Sequence, residues 1–297
     1  MAGQLKTFRG NCHCGAYIYE AKIPEDTKPS ECNCSSCYKK GALWIAPKNE
    51  DIRFVKGDVN TLTNYTFGNE TFNHKFCPTC GVQLMIIGHL EPPQPGEEKE
   101  PMTAVNIRSF QHGQGLDVWK EERKPIDGKS FGAPYDPPKY TGPEPKAAIE
   151  GGKLYTGSCH CGAVRVAVKS KPLDKTYPEK ITECNCSICN RHGSTWFYPK
   201  TDQVKVEGKD NLTNYLFGTK LFGKHFCKTC GIVLYNRIIP ITEEEISQMP
   251  EGQANFVRGS LNMMPVNLRV INGLNVKDLN VTQFDGYNSI QPRYVEP

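Results

Sequence analysis

Hydrophobic and polar residues alternate with a period of two in several short segments of the chain. "AYIYEAKI" (16–23) and "AVRVAVKS" (163–170) follow this alternation, which is typical of strands with one buried face. Two further runs rich in β-branched and other apolar residues, "VQLMII" (82–87) and "IVLYNRII" (232–239), begin just after a CxxCG motif. The only helical candidates are short, around "CSSCYKKG" and "CSICNRHG". The pattern predicts a small, β-rich fold.

The same order of motifs occurs twice, so the chain is a tandem repeat. "GNCHCGAYIYE", "ECNCSSCYKKGALWI", "LTNYTFGN" and "HKFCPTCGVQLM" return as "GSCHCGAVRVA", "ECNCSICNRHGSTWF", "LTNYLFGT" and "KHFCKTCGIVLY", at offsets of 147 to 152 residues. A period of this length is a whole domain rather than a solenoid unit. We predict domains over 6–128 and 153–290, joined by a linker rich in Pro and Gly over 129–152.

An acidic stretch interrupts each repeat at the same place. The first is "EPPQPGEEKEP" (91–101) and the second is "IPITEEEISQMPEG" (239–252). Each separates two apolar runs, so we expect both to be exposed loops between strands.

Charge and the N-terminal sequence narrow the possible partners. The 297 residues carry a formal net charge of +4 without a long basic run, which argues against nucleic acid as the main partner. The start, "MAGQLKTFRG", lacks the apolar core of a secretory signal, and no apolar run approaches the roughly 18 residues of a membrane span. We therefore expect a cytoplasmic protein, either a homodimer or a monomer in which the duplication mimics one.

Fourteen cysteines, seven in each repeat, fall in tight CxC and CxxC clusters. Disulfides between residues two apart are strained, so thiolates that bind metal in a reducing compartment fit better. A CxxCG zinc knuckle supplies two ligands, and the CxC near the start of the domain can supply two more. This assignment predicts one structural zinc on Cys12, Cys14, Cys77 and Cys80, and a second on Cys159, Cys161, Cys227 and Cys230.

Three cysteines then remain in each repeat: Cys32, Cys34 and Cys37 in the first, and Cys184, Cys186 and Cys189 in the second. A loop with sulfurs at i, i+2 and i+5 can wrap one metal ion and leave its fourth position open, as in a reactive zinc site. Three thiolates make a soft site that favours a thiol as fourth ligand. Zinc would hold that thiol as a thiolate, which could add to an aldehyde carbonyl.

Three alternatives remain for these loops: a site closed by a histidine, free or regulatory thiols without metal, and an iron–sulfur cluster. The histidine alternative has few candidates. His13 and His160 each lie between two cysteines, so on an extended segment they would point away from the sulfurs. His74 and His225 are one register apart when the knuckles are aligned, and His89 and His112 have no twin.

The motif set resembles the glutathione-dependent formaldehyde-activating enzyme family, which also contains centromere protein V. The residues that carry the resemblance are "GNCHCGA", "ECNCSSCYKKG", "FCPTCG" and "VNIR", with "GSCHCGA", "ECNCSICNRHG", "FCKTCG" and "VNLR" in the second repeat. The resemblance implies two tandem β-tent domains with antiparallel sheets. It also implies structural zinc on the four-cysteine sets and catalytic zinc on the three-cysteine loops, up to four ions per chain.

The family resemblance further implies glutathione as substrate or co-substrate, and formation of S-hydroxymethylglutathione from formaldehyde, a carbon–sulfur lyase activity in reverse. Two other functions stay open: a non-enzymatic carrier of glutathione or another thiol, and an interaction module that zinc stabilises.

Several cations are candidates for binding glutathione carboxylates. Lys39, Lys40, Arg191 and His192 follow the three-cysteine loops, where they either pair with carboxylates or form a solvated turn. Arg108 and Arg269, in "VNIR" and "VNLR", either bind an anion or close a salt bridge.

Other repeated polar and aromatic residues have simpler interpretations. Asn106 and Asn267 are expected to satisfy backbone groups at a strand bend. Trp44, Trp196, Tyr65 and Tyr215 are expected to pack in the core.

Overall fold

The computed structural model describes residues 4–91, 93–94 and 96–297. We call residues 4–152 the first half and residues 153–297 the second half. The first half contains the short helix α1 (Ser35–Lys40) and ten strands. The strands are β1 (Leu5–Asn11), β2 (Ile18–Pro24), β3 (Ser30–Cys32), β4 (Trp44–Ile45), β5 (Ile52–Lys56), β6 (Thr63–Tyr65), β7 (Phe72–Phe76), β8 (Gln83–Gly88), β9 (Met102–Asn106) and β10 (Lys124–Ile126).

The second half repeats this order with two extra helices in the acidic stretch and one near its end. Its strands are β11 (Lys153–Ser158), β12 (Arg165–Ser170), β13 (Ile181–Cys184), β14 (Thr195–Phe197), β15 (Val204–Glu207), β16 (Leu212–Leu216), β17 (Phe222–Cys227), β18 (Val233–Ile238), β19 (Val266–Asn267) and β20 (Val281–Phe284). Its helices are α2 (Ser187–His192), α3 (Glu243–Ser247), α4 (Glu251–Ser260) and α5 (Gly286–Ser289).

Each half folds into a three-stranded sheet and a seven-stranded sheet. The first half has the strand orders β1-β2-β5 and β10-β3-β4-β9-β8-β7-β6, and the second half has β11-β12-β15 and β16-β17-β18-β19-β14-β13-β20. The pairing is antiparallel except where β10 joins β3 and β20 joins β13 in parallel. The prediction of a mainly β fold, built from antiparallel sheets in two similar halves, is confirmed.

The alternation seen in the sequence places alternate side chains of β2 in the core. Tyr19, Ala21 and Ile23 are buried, whereas Glu20 and Lys22 face outward. The largest cluster of buried apolar side chains contains residues from both halves, so the halves share one core.

The zinc-knuckle glycines lie at a close contact between the two halves. Gly81 and Gly231 have positive φ angles of 73° and 69°, which glycine adopts without strain. A Cβ on Gly81 would lie 2.7 Å from the ring of Phe226, and one on Gly231 would lie 2.8 Å from the ring of Phe76. Each knuckle therefore packs against an aromatic residue of the other half.

The acidic stretch of the second half is not a simple loop, so the loop prediction for 239–252 is wrong. It contains α3 and the start of α4, and α4 also contradicts the expectation of only short helices beside the cysteines. Thr242 and Glu245 form a capping box, and Ile246 and Val257 are buried against a small apolar cluster.

In the first half, the described part of 91–101 contains neither helix nor strand; residues 92 and 95 lie outside the described residues. Among the helices that the structure describes, none is long and apolar enough to cross a membrane.

Candidate metal centres

The four-cysteine clusters form where the end of the first strand of each half meets a later hairpin turn. In the first half, Cys12 and Cys14 follow β1, and Cys77 and Cys80 lie in the turn between β7 and β8. All four sulfurs lie within 4.8 Å of one another, and the second half repeats the arrangement with Cys159, Cys161, Cys227 and Cys230. The structure thus brings together the two sets that the spacing predicted.

The geometry of these clusters fits a tetrahedral zinc ion. Cys14 Sγ lies 3.5 Å from the sulfurs of Cys12 and Cys77, and the corresponding distances in the second half are 3.6 Å. Zinc–sulfur bonds of about 2.3 Å imply sulfur separations of about 3.8 Å, close to these values. The backbone N–H of Tyr17 also donates to Cys12 Sγ. The donor set is therefore suited to zinc.

The three-cysteine clusters are formed by a strand end and the first turn of a six-residue helix. Cys32 ends β3, Cys34 is the N-cap of α1 and Cys37 lies within α1. Backbone N–H groups of Cys34 and Cys37 each point to the preceding sulfur of the cluster at 3.5 Å. In the second half Cys184, Cys186 and Cys189 take the same positions at the end of β13 and the start of α2, with all sulfurs within 4.8 Å, and the N–H of Cys186 donates to Cys184 Sγ at 3.3 Å.

Neither three-cysteine cluster contains a fourth metal-binding side chain within the described ranges. Histidine, aspartate and glutamate are all absent from the two groups, which consist of cysteines alone. A metal ion held by either cluster would therefore keep a coordination position free for an external ligand.

Electrostatics differ between the two three-cysteine clusters. In the first, hydrogen bonds with Cys34 and Cys37 lower the pKa of Cys32 to about 3. In the second, the pKa of Cys189 falls well below its usual value, because Cys184 and Cys186 donate to it and the Lys224 ammonium lies nearby. The buried Lys224 ammonium beside Cys189 is the charged group that distinguishes the second cluster.

Each half has an Asp-Gly turn, Asp127-Gly128 or Asp285-Gly286, that covers its three-cysteine cluster. Asn33 donates to Asp127 at 2.7 Å, and Asn185 donates to Asp285 at 3.0 Å. The following glycine lies so close that a Cβ on Gly128 would be 2.3 Å from Cys32 Sγ, and one on Gly286 would be 2.5 Å from Cys184 Sγ. The side of each cluster that faces this turn has no room for a side chain.

The histidine between the cysteines of each four-cysteine cluster binds the other half. His160 makes hydrogen bonds to the hydroxyls of Tyr65 at 2.6 Å and Ser35 at 2.8 Å. His13 makes the equivalent bonds to Tyr215 at 2.8 Å and Ser187 at 3.0 Å. Burial lowers the pKa of His13 to about 3 and that of His160 to about 4, so both are neutral at pH 7.

Because Ser35 and Ser187 lie inside the three-cysteine loops, each loop rests on the four-cysteine cluster of the other half. The contacts are reciprocal, as in a two-fold symmetric dimer.

The cations after the three-cysteine loops lie in this contact rather than in solvent. Lys39 Nζ donates to the carbonyls of Ser158 and Val270 in the second half. Arg191 donates to Asn11 and forms an ion pair with Glu296 at 2.6 Å. A solvated turn is therefore wrong for these residues.

Lys40 and His192 are buried in the same contact. Burial lowers the pKa of Lys40 to about 8 and that of His192 to about 3. Binding of glutathione by Lys40 and Arg191 stays a prediction, since the contacts described here hold both within the protein.

The arginines of "VNIR" and "VNLR" also lie at the contact between the halves. Arg108 is fully buried, donates to the carbonyl of Gly41 and pairs with Glu183 of the second half at 3.1 Å. Arg269 donates to the carbonyl of Tyr38 at 3.5 Å and lies over its ring. For Arg108 the structure favours the salt bridge, while a role of either arginine in anion binding stays a prediction.

The asparagines and aromatic residues take the predicted structural positions. Asn106 Oδ1 accepts from the backbone N–H groups of Leu43 and Arg108, and Asn267 Oδ1 accepts from those of Thr195 and Arg269. Trp44, Trp196 and Tyr65 are buried, and Tyr215 is partly buried against the core.

A further part of the repeat was not predicted from the sequence. "DGKSFGAPYDPP" (127–138), which begins at the predicted end of the first domain and runs into the predicted linker, corresponds to "DGYNSIQPRYVEP" (285–297) at the end of the second half. Tyr135 and Tyr294 stack on His160 and His13 with ring centroids 4.5 and 4.4 Å apart, and their hydroxyls donate to the carbonyls of the same histidines. The recurring Asp-Gly and the tyrosine eight or nine residues later were the available signal.

Comparison with known proteins gives the same family for both halves. A model of the family described as "Glutathione-dependent formaldehyde-activating enzyme" matches residues 7–116 and 154–255. A Halomonas elongata protein, described as a candidate enzyme of this kind, is 33% identical over 91 residues, which are 28% of this chain and 55% of that protein. This chain thus spans about half the length of that curated relative.

A solved structure from Rhodobacter sphaeroides shares 29% identity and a TM-score of 0.32, over 43% of this chain and 97% of that one. The family model matches well over half of the chain and includes every cysteine of the two pairs of clusters. The chain therefore belongs to the glutathione-dependent formaldehyde-activating enzyme family, with one copy of the family's domain in each half.

Proposed function

We propose that the protein is a zinc-dependent enzyme of the carbon–sulfur lyase type. It joins glutathione or a related thiol to a small aldehyde such as formaldehyde, and it releases the aldehyde in the reverse direction. The observation that carries the proposal is the pair of three-cysteine clusters, to which no fourth protein ligand is added among the described residues. Membership of the family supports glutathione and formaldehyde as the reactants.

The reaction needs one sulfur–carbon bond and one proton transfer. The thiol sulfur bonds to the carbonyl carbon, the π electrons move to the oxygen, and the oxygen takes up the proton that the thiol has lost. When bound by Cys32, Cys34 and Cys37, or by their counterparts, zinc would supply a lowered thiol pKa and a fixed position for the thiolate. Holding both reactants together supplies much of the rate enhancement.

The residues around the first three-cysteine cluster form an apolar wall on one side of it. Trp44 donates its indole N–H to Cys37 Sγ at 3.3 Å. Ala42, Ala104 and Met102 pack against the same cysteines. Because this wall is apolar and Gly128 covers another side, an incoming thiol has a restricted direction of approach.

Zinc content and exchange kinetics test the proposal together. We expect four zinc ions per chain, of which two are released readily to a chelator because each has only three protein ligands. Exchange between formaldehyde and glutathione, followed by NMR, should be faster with the protein than without it.

The Cys34→Ser, Cys186→Ser double variant is the matched control and should keep two zinc ions and lose the acceleration. If exchange with the zinc-loaded protein is no faster than in buffer, the enzymatic proposal is wrong.

A further inference from the structure

The two three-cysteine clusters face different residues on the neighbouring strand. When the knuckle motifs are aligned, His74 of β7 is the sequence equivalent of Lys224 of β17. Lys224 is 3% exposed, and its Nζ lies 3.4 Å from Cys189 Sγ. His74 is also buried, but its Nδ1 accepts from Gln83 Nε2 at 2.9 Å and is not hydrogen-bonded to a cysteine in the described ranges.

The group that donates a hydrogen bond to the last cysteine of the cluster also differs between the halves. In the first cluster the hydrogen bond to the last cysteine comes from a neutral group, the Trp44 indole, at 3.3 Å. In the second cluster it comes from the Lys224 ammonium, which also lies 4.2 Å from the ring centre of Trp196. The last cysteine thus has a neutral donor in the first cluster and a cationic donor in the second.

The first half also has a buried lysine near its cluster, but that lysine is directed elsewhere. Lys40 lies over the ring of Phe76 at 5.0 Å, and its Nζ would be 3.0 Å from a Cβ on Gly231 in the zinc knuckle of the second half. It makes no hydrogen bond within the described structure. Its counterpart in the second half is His192, so the lysine and histidine positions are exchanged between the halves.

The position of Lys224 changes the charge that an external ligand meets. A divalent zinc ion on three thiolates carries one net negative charge, and a fourth thiolate adds another. A buried ammonium in hydrogen-bond contact with one of these sulfurs offsets one of the charges, and burial keeps solvent from screening it. A neutral ligand gains nothing comparable, because it adds no charge.

We propose that Lys224 makes the second three-cysteine site the tighter of the two for a ligand that binds as an anionic thiolate. This inference rests on the proposed function for the identity of the thiol, glutathione. The two sites of one chain are then not equivalent, since the first binds the thiol more weakly and releases it faster. Lys224 acts as a specificity-determining residue that favours thiolates over neutral ligands.

Single-site chains separate the two affinities. Cys34→Ser leaves only the second open site, and Cys186→Ser leaves only the first. With the zinc-loaded full chains, glutathione binding is measured by calorimetry, and the thiolate absorption of cobalt-substituted protein reports ligation directly. We expect glutathione to bind about 10- to 100-fold more tightly to the Cys34→Ser chain, the range for one charge-assisted hydrogen bond.

Adding Lys224→Met to the Cys34→Ser chain should remove that advantage, while imidazole, a neutral ligand, binds as before. Lys224→Gln serves if the methionine variant does not fold, and the exposed Lys209→Met in the same half is the matched control. The inference is overturned if Lys224→Met changes glutathione affinity by less than about twofold, or weakens imidazole and glutathione equally.

A simple thiol separates this inference from the proposed function. If neither chain binds glutathione but 2-mercaptoethanol binds in a Lys224-dependent manner, the inference stands and glutathione is the wrong thiol. If neither thiol binds to either chain, the inference fails together with the proposed function.

Discussion

The burial of a cysteine, and the parts of the fold that it joins, depend on the cluster to which it belongs. Cys12, Cys77 and Cys80 are fully buried and join distant parts of the first half, whereas Cys32 and Cys34 are partly exposed within one loop. Spacing alone was enough to sort the fourteen cysteines into these groups, because CxC, CxxCG and the i, i+2, i+5 pattern each have one simple metal geometry.

Replacing a cysteine of a four-cysteine cluster should unfold its half and, because the halves share one core, destabilise the other half as well. Cys77→Ser removes one of four thiolates, and structural zinc contributes roughly 10 kcal/mol or more, comparable to the whole stability of a domain. We expect loss of the cooperative melting transition, followed by circular dichroism, and loss of tightly bound zinc. Cys34→Ser is the matched control and should melt near the wild-type temperature. A Cys77→Ser protein with unchanged melting would contradict the ligand assignment.

His74 should make the folded state sensitive to mild acid. Burial, followed by the charge of Lys40, lowers its pKa from 6.5 to about 3. Between these values the unfolded chain binds a proton that the folded chain does not, so the free energy of unfolding falls as pH drops below 6.5. The slope from this one residue is about 1.4 kcal/mol per pH unit.

Urea unfolding at several pH values between 7 and 5 measures this dependence. The pH slope of His74→Gln should be smaller than that of the wild type by the contribution of one histidine. Loss of zinc at low pH affects both proteins, so the difference between them isolates His74. Parallel slopes would show that His74 is not the group responsible.

The partners of buried histidines could not be predicted from the sequence. Strand alternation predicted that His13 and His160 point away from the neighbouring sulfurs. The hydrogen bonds of His13 with Ser187 and of His160 with Ser35 depend on how the two halves pack. No local pattern within one repeat predicts that packing.

At the scale of elements, the residues that cap the short helices α1 and α2 determine where each helix starts and stops. Each is preceded by an N-cap cysteine, Cys34 or Cys186, and followed by a glycine with a positive φ angle near 55°, Gly41 or Gly193. The sequence predicted both helices because the cysteine spacing and the terminal glycine lie next to each other. It did not predict α3 and α4, because their acidic, Pro-flanked composition is also typical of loops, and their few buried residues pack on a small separate cluster.

The Asp-Gly turns should control metal retention at the three-cysteine clusters. Gly128→Ala places a methyl group 2.3 Å from Cys32 Sγ, so the sulfur must shift from its position in the cluster. We expect the variant to fold but to hold one labile zinc ion fewer in a chelator titration.

Gly286→Ala should do the same in the second half, where the contact is 2.5 Å. Gly252→Ala is the control, because nothing lies within 4 Å of its Cβ position. Wild-type zinc content in both Gly128→Ala and Gly286→Ala would mean that these turns do not confine the clusters.

For the whole molecule, the contact between the halves carries buried charge as well as apolar surface. Arg108, Arg191 and Lys39 each reach an acceptor in the other half. The sequence showed the duplication and allowed a pseudo-dimer, but the reciprocal insertion of each loop against the other half is a tertiary feature. A repeated set of motifs is compatible both with two independent domains and with two halves that share a core, so the sequence alone does not distinguish them.

The halves should not fold independently. Chains of residues 1–152 and 153–297, produced separately, would expose the shared core and leave these cations without acceptors. We expect each to lack a cooperative melting transition, and the two to co-purify as a folded one-to-one pair when they are produced together. Two separately folded monomers, seen by light scattering and near-ultraviolet circular dichroism, would contradict the shared core.

The hydrogen bonds that His13 and His160 each make to the other half limit how the two copies can evolve. A mutation that silences the chemistry of one copy leaves its histidine still holding the opposite loop, so the silent copy remains necessary as a scaffold. Neither copy can be deleted after the duplication, and specialisation of one copy is the route that stays open.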